Sequence, residues 1–61
     1  MKVSELTRML RNGGCKLVGY RAEHDDWYSP LTNIMVRVPR HRSKEMATGT
    51  AVRILKDAGL K

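Results

Sequence analysis

The sequence is poor in cysteine, in acidic residues and in long apolar runs. Its single cysteine, Cys15, excludes an intramolecular disulfide framework and a cysteine-rich zinc site, and it fits a reducing cytoplasm. No stretch approaches the roughly 18 consecutive apolar residues of a transmembrane helix, and residues 1–10 lack the apolar core of a signal peptide. We therefore predict a cytoplasmic protein without a membrane partner.

Basic residues are what the chain has in excess. Its 12 Lys and Arg residues outnumber 6 Asp and Glu residues, which gives a formal net charge of +6. This excess indicates a polyanionic partner, with nucleic acid as the first candidate and an acidic protein as the second. The 61 residues are enough for one domain, residues 1–61, with a small core. We therefore expect any chemistry on a surface or in a shallow groove.

Helical periodicity is visible at both ends of the chain. The first helix is predicted to run from Ser4, whose hydroxyl caps the first turn, to Asn12, after which Gly13-Gly14 ends it. The last helix is predicted to have Thr48 as its cap and Gly59 just beyond its carboxyl end. The predicted apolar stripes are Leu6, Met9 and Leu10 in the first helix and Ala51, Ile54, Leu55 and Ala58 in the last.

Between the helices the sequence predicts three strands. Residues 15–20 and the pair Trp27-Tyr28 favour the first two, with a polar connection at 21–26. Residues 34–38 form the clearest strand, whose alternation places Ile34, Val36 and Val38 on one face and Met35 and Arg37 on the other. The order predicts a two-layer α+β fold, α-β-β-β-α, with a three-stranded antiparallel sheet and both helices on one face.

His24 is the first candidate for chemistry. It is one of two histidines, the side chains that exchange protons near neutral pH without a shifted pKa. RNA cleavage without a metal needs a base for the 2′-hydroxyl and an acid for the leaving oxygen, and a histidine serves either role. In a regular strand Asp26 would share a face with His24, where its carboxylate would orient the ring. The alternative is a surface histidine in an acidic loop.

Residues 37–44 form a basic run without an acidic residue. Its charged and titratable members are Arg37, Arg40, His41, Arg42 and Lys44. We predict that they bind the phosphates of RNA and stabilise the charge that develops during cleavage. Arg40 and Arg42, just beyond Pro39 where the chain leaves the sheet, are predicted to be the freest to do so. The alternative is a solvated connector.

The remaining residue types do not point to further chemistry. Trp27 and Tyr28 are interpreted as cover for the core or the sheet rather than as a stacking surface for bases. The two histidines and the scattered carboxylates show no metal-ligand spacing such as His-Glu-x-x-His. We therefore predict neither a metal site nor a cofactor.

Several segments resemble the HicA toxins, small ribonucleases of toxin–antitoxin pairs that are similar in fold to double-stranded RNA-binding domains. The matching segments are Ser4-Glu5-Leu6, His24 with Trp27 and Ser29-Pro30, Val38-Pro39-Arg40-His41, Gly49-Thr50, Ile54-Leu55-Lys56 and Ala58-Gly59-Leu60. The chain departs from the family pattern around the histidine. Ala22-Glu23 stands where a Gly-Ser or Gly-Gly pair is usual, and Asp25 and Asp26 follow.

The resemblance implies a metal-independent ribonuclease that cleaves mRNA as the toxin of such a pair. It also implies that His24 is catalytic and that a HicB-type antitoxin binds over the active face. Two other functions remain open from the residues alone. One is a non-catalytic RNA-binding module that recognises duplex shape through phosphates and 2′-hydroxyls. The other is an interaction domain for an acidic protein.

Overall fold

Two helices flank three strands along the chain, as the sequence predicts. The computed structural model describes residues 1–61, with elements α1 (Val3–Asn12), β1 (Lys16–Tyr20), β2 (His24–Ser29), β3 (Ile34–Pro39) and α2 (Thr48–Asp57). The strands form one antiparallel sheet in the order β1-β2-β3, and both helices pack on one face of it. The predicted α+β architecture is confirmed. Neither helix has the length and apolar character that a membrane span requires.

β2 is longer than the sequence predicts, because it begins at His24 rather than near Trp27. Asp25 and Asp26 pair in register with β3 on one side and with β1 on the other. Aspartate is unfavourable in strands, but here the position of β2 between two pairing strands overrides that preference. The polar connection is therefore shorter than the predicted 21–26, and it leaves His24 in a regular strand.

The two faces of the sheet differ in character. Residues opposite each other in neighbouring antiparallel strands share a face, so the register shows on which face of the sheet each side chain lies. The face turned away from the helices, here termed the open face, carries Lys16, Gly19, His24, Asp26, Tyr28, Met35, Arg37 and Pro39. β1 contains an irregularity between Leu17 and Gly19, which places one extra residue, Val18, in that strand.

The core lies between the helices and the other face of the sheet. It consists of Val3, Leu6, Leu10, Cys15, Trp27, Val36, Val38, Met46, Leu55 and Ala58. Trp27 is 3% exposed, and the guanidinium of Arg11 lies over its ring at 5.3 Å. The assignment of Met9 to the buried stripe is wrong, because α1 turns Val3, Leu6 and Leu10 inward and leaves Met9 at the margin. Ile34, at the start of an edge strand, is likewise exposed.

Neither predicted cap begins its helix. α1 starts one residue earlier than predicted, and the N–H groups of Val3 and Ser4 each donate at 3.0 Å to the backbone carbonyls of Lys44 and Arg42. These carbonyls take the place of a Ser4 side-chain cap, because they satisfy donors that helix geometry leaves free. α2 begins at Thr48 itself, with Ala47 as the N-cap and no side-chain cap.

Both helices end as the glycines predict. Gly14 and Gly59 have φ values of 92° and 78°, and the next amide in each case donates back into the last turn, to Leu10 and to Leu55. This is the Schellman arrangement, which favours glycine because of the positive φ. The buried Ser29 hydroxyl donates at 2.6 Å to the carbonyl of Ala58, which fixes the end of α2 to the far end of β2.

Candidate functional site

The site begins with His24 at the first position of β2. Its side chain is 29% exposed, and its Nε2 lies 3.5 Å from Oδ1 of Asp26. The two residues are two positions apart in one strand, so their side chains project from the same face. The expected placement of Asp26 beside the histidine is therefore observed, and His24 lies on a strand rather than in an acidic loop.

Asp26 is itself fixed by its neighbours. Arg21 Nε donates to Oδ2 of Asp26 at 3.3 Å, and the Asp26 side chain is only 15% exposed. Gly19 lies opposite Asp26 in β1, where a Cβ atom would be 3.5 Å from Oδ2. A side chain of this size at position 19 would make an ordinary van der Waals contact with the carboxylate, so the ion pair with Arg21 is what positions Asp26. The result is a row of three charged or titratable groups on the open face.

His24 also lines a groove of about 360 Å³ beside the end of the sheet. The polar side chains around this groove are Glu23, Arg37, Lys44 and Thr50, and its apolar lining includes Met46 and Ile54. Arg37 and Lys44 form no ion pair, so both cations are available to an anionic ligand. A shallow groove of this kind is what the small core predicts.

Arg40 is held in place by neighbouring groups. Its guanidinium lies 3.1 Å from Oδ1 of Asp25, donates to the backbone carbonyl of Arg21 and lies 5.9 Å from the ring centre of Tyr20. The prediction that Arg40 is among the freest cations is therefore wrong. The strand register causes this, since Asp25 pairs next to the end of β3 from which Arg40 leaves the sheet.

The basic connector, residues 40–44, is fixed by its backbone and open at most of its side chains. The backbone carbonyls of Arg42 and Lys44 accept hydrogen bonds from the first amides of α1. The side chains of the same two residues are exposed and form no ion pair. Just beyond it, the Met1 ammonium donates to Glu45 at 2.5 Å. This hydrogen bond, together with the ammonium charge, lowers the pKa of Glu45. The predicted phosphate contacts of Arg42 and Lys44 remain predictions.

The two histidines do not form one site. His41 is exposed and lines a neighbouring depression with Ala22, Glu23 and Arg40, whereas the His24 groove does not include it. The structure thus brings Arg37 and Lys44 to His24 and leaves Arg40, His41 and Arg42 outside that groove. No group of three or more His, Cys, Asp and Glu side chains is arranged to hold a metal ion.

Sequence reasoning missed two residues at the site. The sequence pattern places Arg21 only in the polar connection at 21–26 and gives Thr50 no role beyond the Gly49-Thr50 segment of the resemblance. The available signal for Arg21 was the hairpin formed by the first two strands, which returns the chain past Asp26. Thr50 gave no such signal, because its approach to His24 depends on how α2 packs on the sheet.

The architecture defines the class of the protein: a small two-layer α+β domain with an open three-stranded sheet. The model of the HicA toxin family of bacterial toxin–antitoxin systems matches residues 3–60, nearly the whole chain. The chain therefore belongs to the HicA toxin family. Comparison with curated proteins and with solved structures found no match.

Proposed function

We propose that this HicA-family toxin is a metal-independent endoribonuclease that cleaves mRNA with His24 as its proton-transferring residue. The observation that carries the proposal is the placement of His24 in an open groove with two unpaired cations, Arg37 and Lys44. An anionic phosphodiester fits such a groove by charge. The proposed partner that restrains the toxin is a HicB-type antitoxin.

The proposed reaction needs only groups that the chain supplies. The neutral imidazole of His24 removes the proton of a 2′-hydroxyl, and the resulting oxygen bonds to the adjacent phosphorus. The bond from phosphorus to the 5′-oxygen then breaks, and the imidazolium of His24 returns its proton to that oxygen, which leaves a 2′,3′-cyclic phosphate and a 5′-hydroxyl. Proton transfer by a positioned side chain contributes about 10²–10⁴-fold to such a rate.

Arg37 and Lys44 are proposed to act on the phosphate. Negative charge grows on the phosphoryl oxygens as the 2′-oxygen attacks, and preorganised cations stabilise that charge more than they stabilise the ground state. Arg37 projects from the same face as His24, and Lys44 approaches the groove from the connector. Because Arg37 and Lys44 lie on different elements, their side chains would contact the phosphate from two sides.

The decisive experiment is cleavage of RNA by purified protein, with His24→Ala compared with His41→Ala. His24→Ala is expected to abolish cleavage and growth inhibition, while His41→Ala retains both. Circular dichroism and melting should stay close to wild type in each variant, because both side chains are at least partly exposed. A folded His24→Ala variant that still cleaves RNA would contradict the proposal. Binding of RNA by the wild type without cleavage would favour the non-catalytic module.

A further inference from the structure

The open face is uncovered by the rest of the chain and lies directly beside the proposed active groove. Its residues form three rows across the strands, namely Lys16-Tyr28-Met35, Gly19-Asp26-Arg37 and His24-Pro39. Met35 is 61% exposed, although it is a large apolar residue in a regular strand. A basic chain thus presents a sheet surface that mixes an aromatic ring, a thioether and cations.

Tyr28 is the aromatic residue of this face, so the interpretation of the two aromatic residues as cover holds for the buried Trp27 and is revised here for Tyr28. Trp27 is buried on the helix side, and Tyr20, opposite Asp25, belongs to the helix side as well, where Arg40 lies over its ring. The Tyr28 hydroxyl donates to Oδ1 of Asn33, which holds the ring in one orientation. A ring fixed in this way loses little conformational entropy when a flat ligand stacks on it.

The charge of the open face indicates which kind of ligand it binds. Lys16 and Arg37 on this face form no ion pair, and Arg21 reaches the same face against the single carboxylate of Asp26. The surplus is positive and is continuous with the groove, because His24 and Arg37 belong to both. Cations along a surface with an aromatic platform are the features by which proteins bind single-stranded nucleic acid.

We infer that the open face binds the single-stranded segment of the RNA that flanks the cleaved linkage, with one base stacked on Tyr28 and packed against Met35. The inference rests on the proposed function. Four strand positions separate Tyr28 from His24, which at about 3.4 Å per residue is about 14 Å. This distance exceeds one phosphate-to-phosphate spacing of a single strand, so the stacked base belongs to a nucleotide near the cleaved linkage but not to the cleaved pair itself. A duplex cannot stack its paired bases on a side chain, so the site selects unpaired RNA.

The test measures binding separately from cleavage. A fully 2′-O-methylated single strand has no nucleophile and cannot be cleaved, so its affinity is read by fluorescence anisotropy with the otherwise intact protein. Tyr28→Leu is expected to weaken binding about 5- to 150-fold, and Tyr28→Phe, which keeps the ring but loses the bond to Asn33, to weaken it much less. The matched control is Tyr20→Leu, which removes the tyrosine of the other face and should leave the affinity unchanged. A 2′-O-methylated duplex should bind wild type and Tyr28→Leu equally.

A second measurement does not depend on the folding of a variant. A 4-thiouridine-substituted single strand, cross-linked to the wild-type protein, should give adducts on the peptide that contains Tyr28. Adducts confined to residues 40–44, or an unchanged affinity in folded Tyr28→Leu, would overturn the inference. If Tyr28→Leu lost only antitoxin binding, the face would belong to a protein partner and the inference would be wrong. Tyr28-dependent binding by a protein that never cleaves RNA would contradict the proposed function alone.

Discussion

The imidazole of His24 and the carboxylate of Asp26 lie side by side on the open face, with Nε2 3.5 Å from Oδ1. At this distance the carboxylate acts on the Nε2 side of the ring by electrostatic attraction rather than through a close hydrogen bond. Asp26 is held in turn by the Nε of Arg21, which donates to its Oδ2. We therefore expect Asp26 to act as a positioning residue for the proposed base.

Removal of Asp26 tests that role. Asp26→Ala is expected to lower kcat by about 10²-fold with little change in KM, because a small misplacement of a reacting group has an effect of that order. Asp26→Asn keeps an oxygen acceptor and should restore part of the rate. Asp25→Asn is the control, since Asp25 lies on the helix side and pairs with Arg40. Equal cleavage by Asp26→Ala and wild type would show that the imidazole needs no orienting group.

The cations of the connector should separate into two kinds. Arg42→Ala/Lys44→Ala removes two unpaired charges, and for single-stranded RNA the salt slope of binding should fall by about 1.4. Arg40→Ala removes the partner of Asp25, so it should change the slope less and lower the melting temperature instead. Binding titrations over a range of salt concentrations and thermal melts measure the two effects. A larger slope change in Arg40→Ala than in the double variant would reverse the assignment.

Cleavage is expected to persist in excess EDTA. The proposed chemistry uses a histidine and two cationic side chains, and none of its proton transfers requires a metal-bound water. The measurement is the cleavage rate of one RNA in chelated and in magnesium-supplemented buffer, with a magnesium-dependent nuclease as the control for chelation. Loss of activity that a divalent ion restores would contradict metal independence.

Two glycines should respond oppositely to alanine. Gly59 has a φ of 78°, and a Cβ there would lie 2.9 Å from Cγ2 of Thr32 and 3.2 Å from Cβ of Leu31. Gly59→Ala is therefore expected to lower the free energy of unfolding by about 1–2 kcal/mol. Gly49 lies in the first turn of α2 with nothing within 4 Å, so Gly49→Ala should be neutral or stabilising. Denaturant titrations measure both, and a stable Gly59→Ala would contradict the strained geometry.

Local pattern predicted the elements well, because apolar spacing and glycine positions act over a few residues. The third strand, the helix ends at Gly14 and Gly59 and the shared face of His24 and Asp26 all follow from that short range. The helix beginnings did not, because the partners of the first α1 amides are carbonyls some 40 residues away in the chain. No local signal marks a backbone carbonyl as a cap.

The residue types of the site can be predicted from the sequence, but the ion pairs that these residues form cannot. His24 and the basic run are evident from composition, but which cations stay unpaired depends on the strand register. Arg40 meets Asp25 because β2 and β3 pair with that offset, and a shift by one residue would have turned Asp25 to the other face. Thr50 joins the groove only through the packing of α2.

Because Trp27 is buried, its fluorescence reports whether the protein is folded. It is the single tryptophan of the chain and is 3% exposed between the helices and the sheet. Its fluorescence should therefore shift to longer wavelength when the domain unfolds and the indole meets water. RNA bound on the opposite side of the sheet should leave that emission almost unchanged. One spectrum thus distinguishes a variant that has lost its structure from a variant that has lost only its ligand.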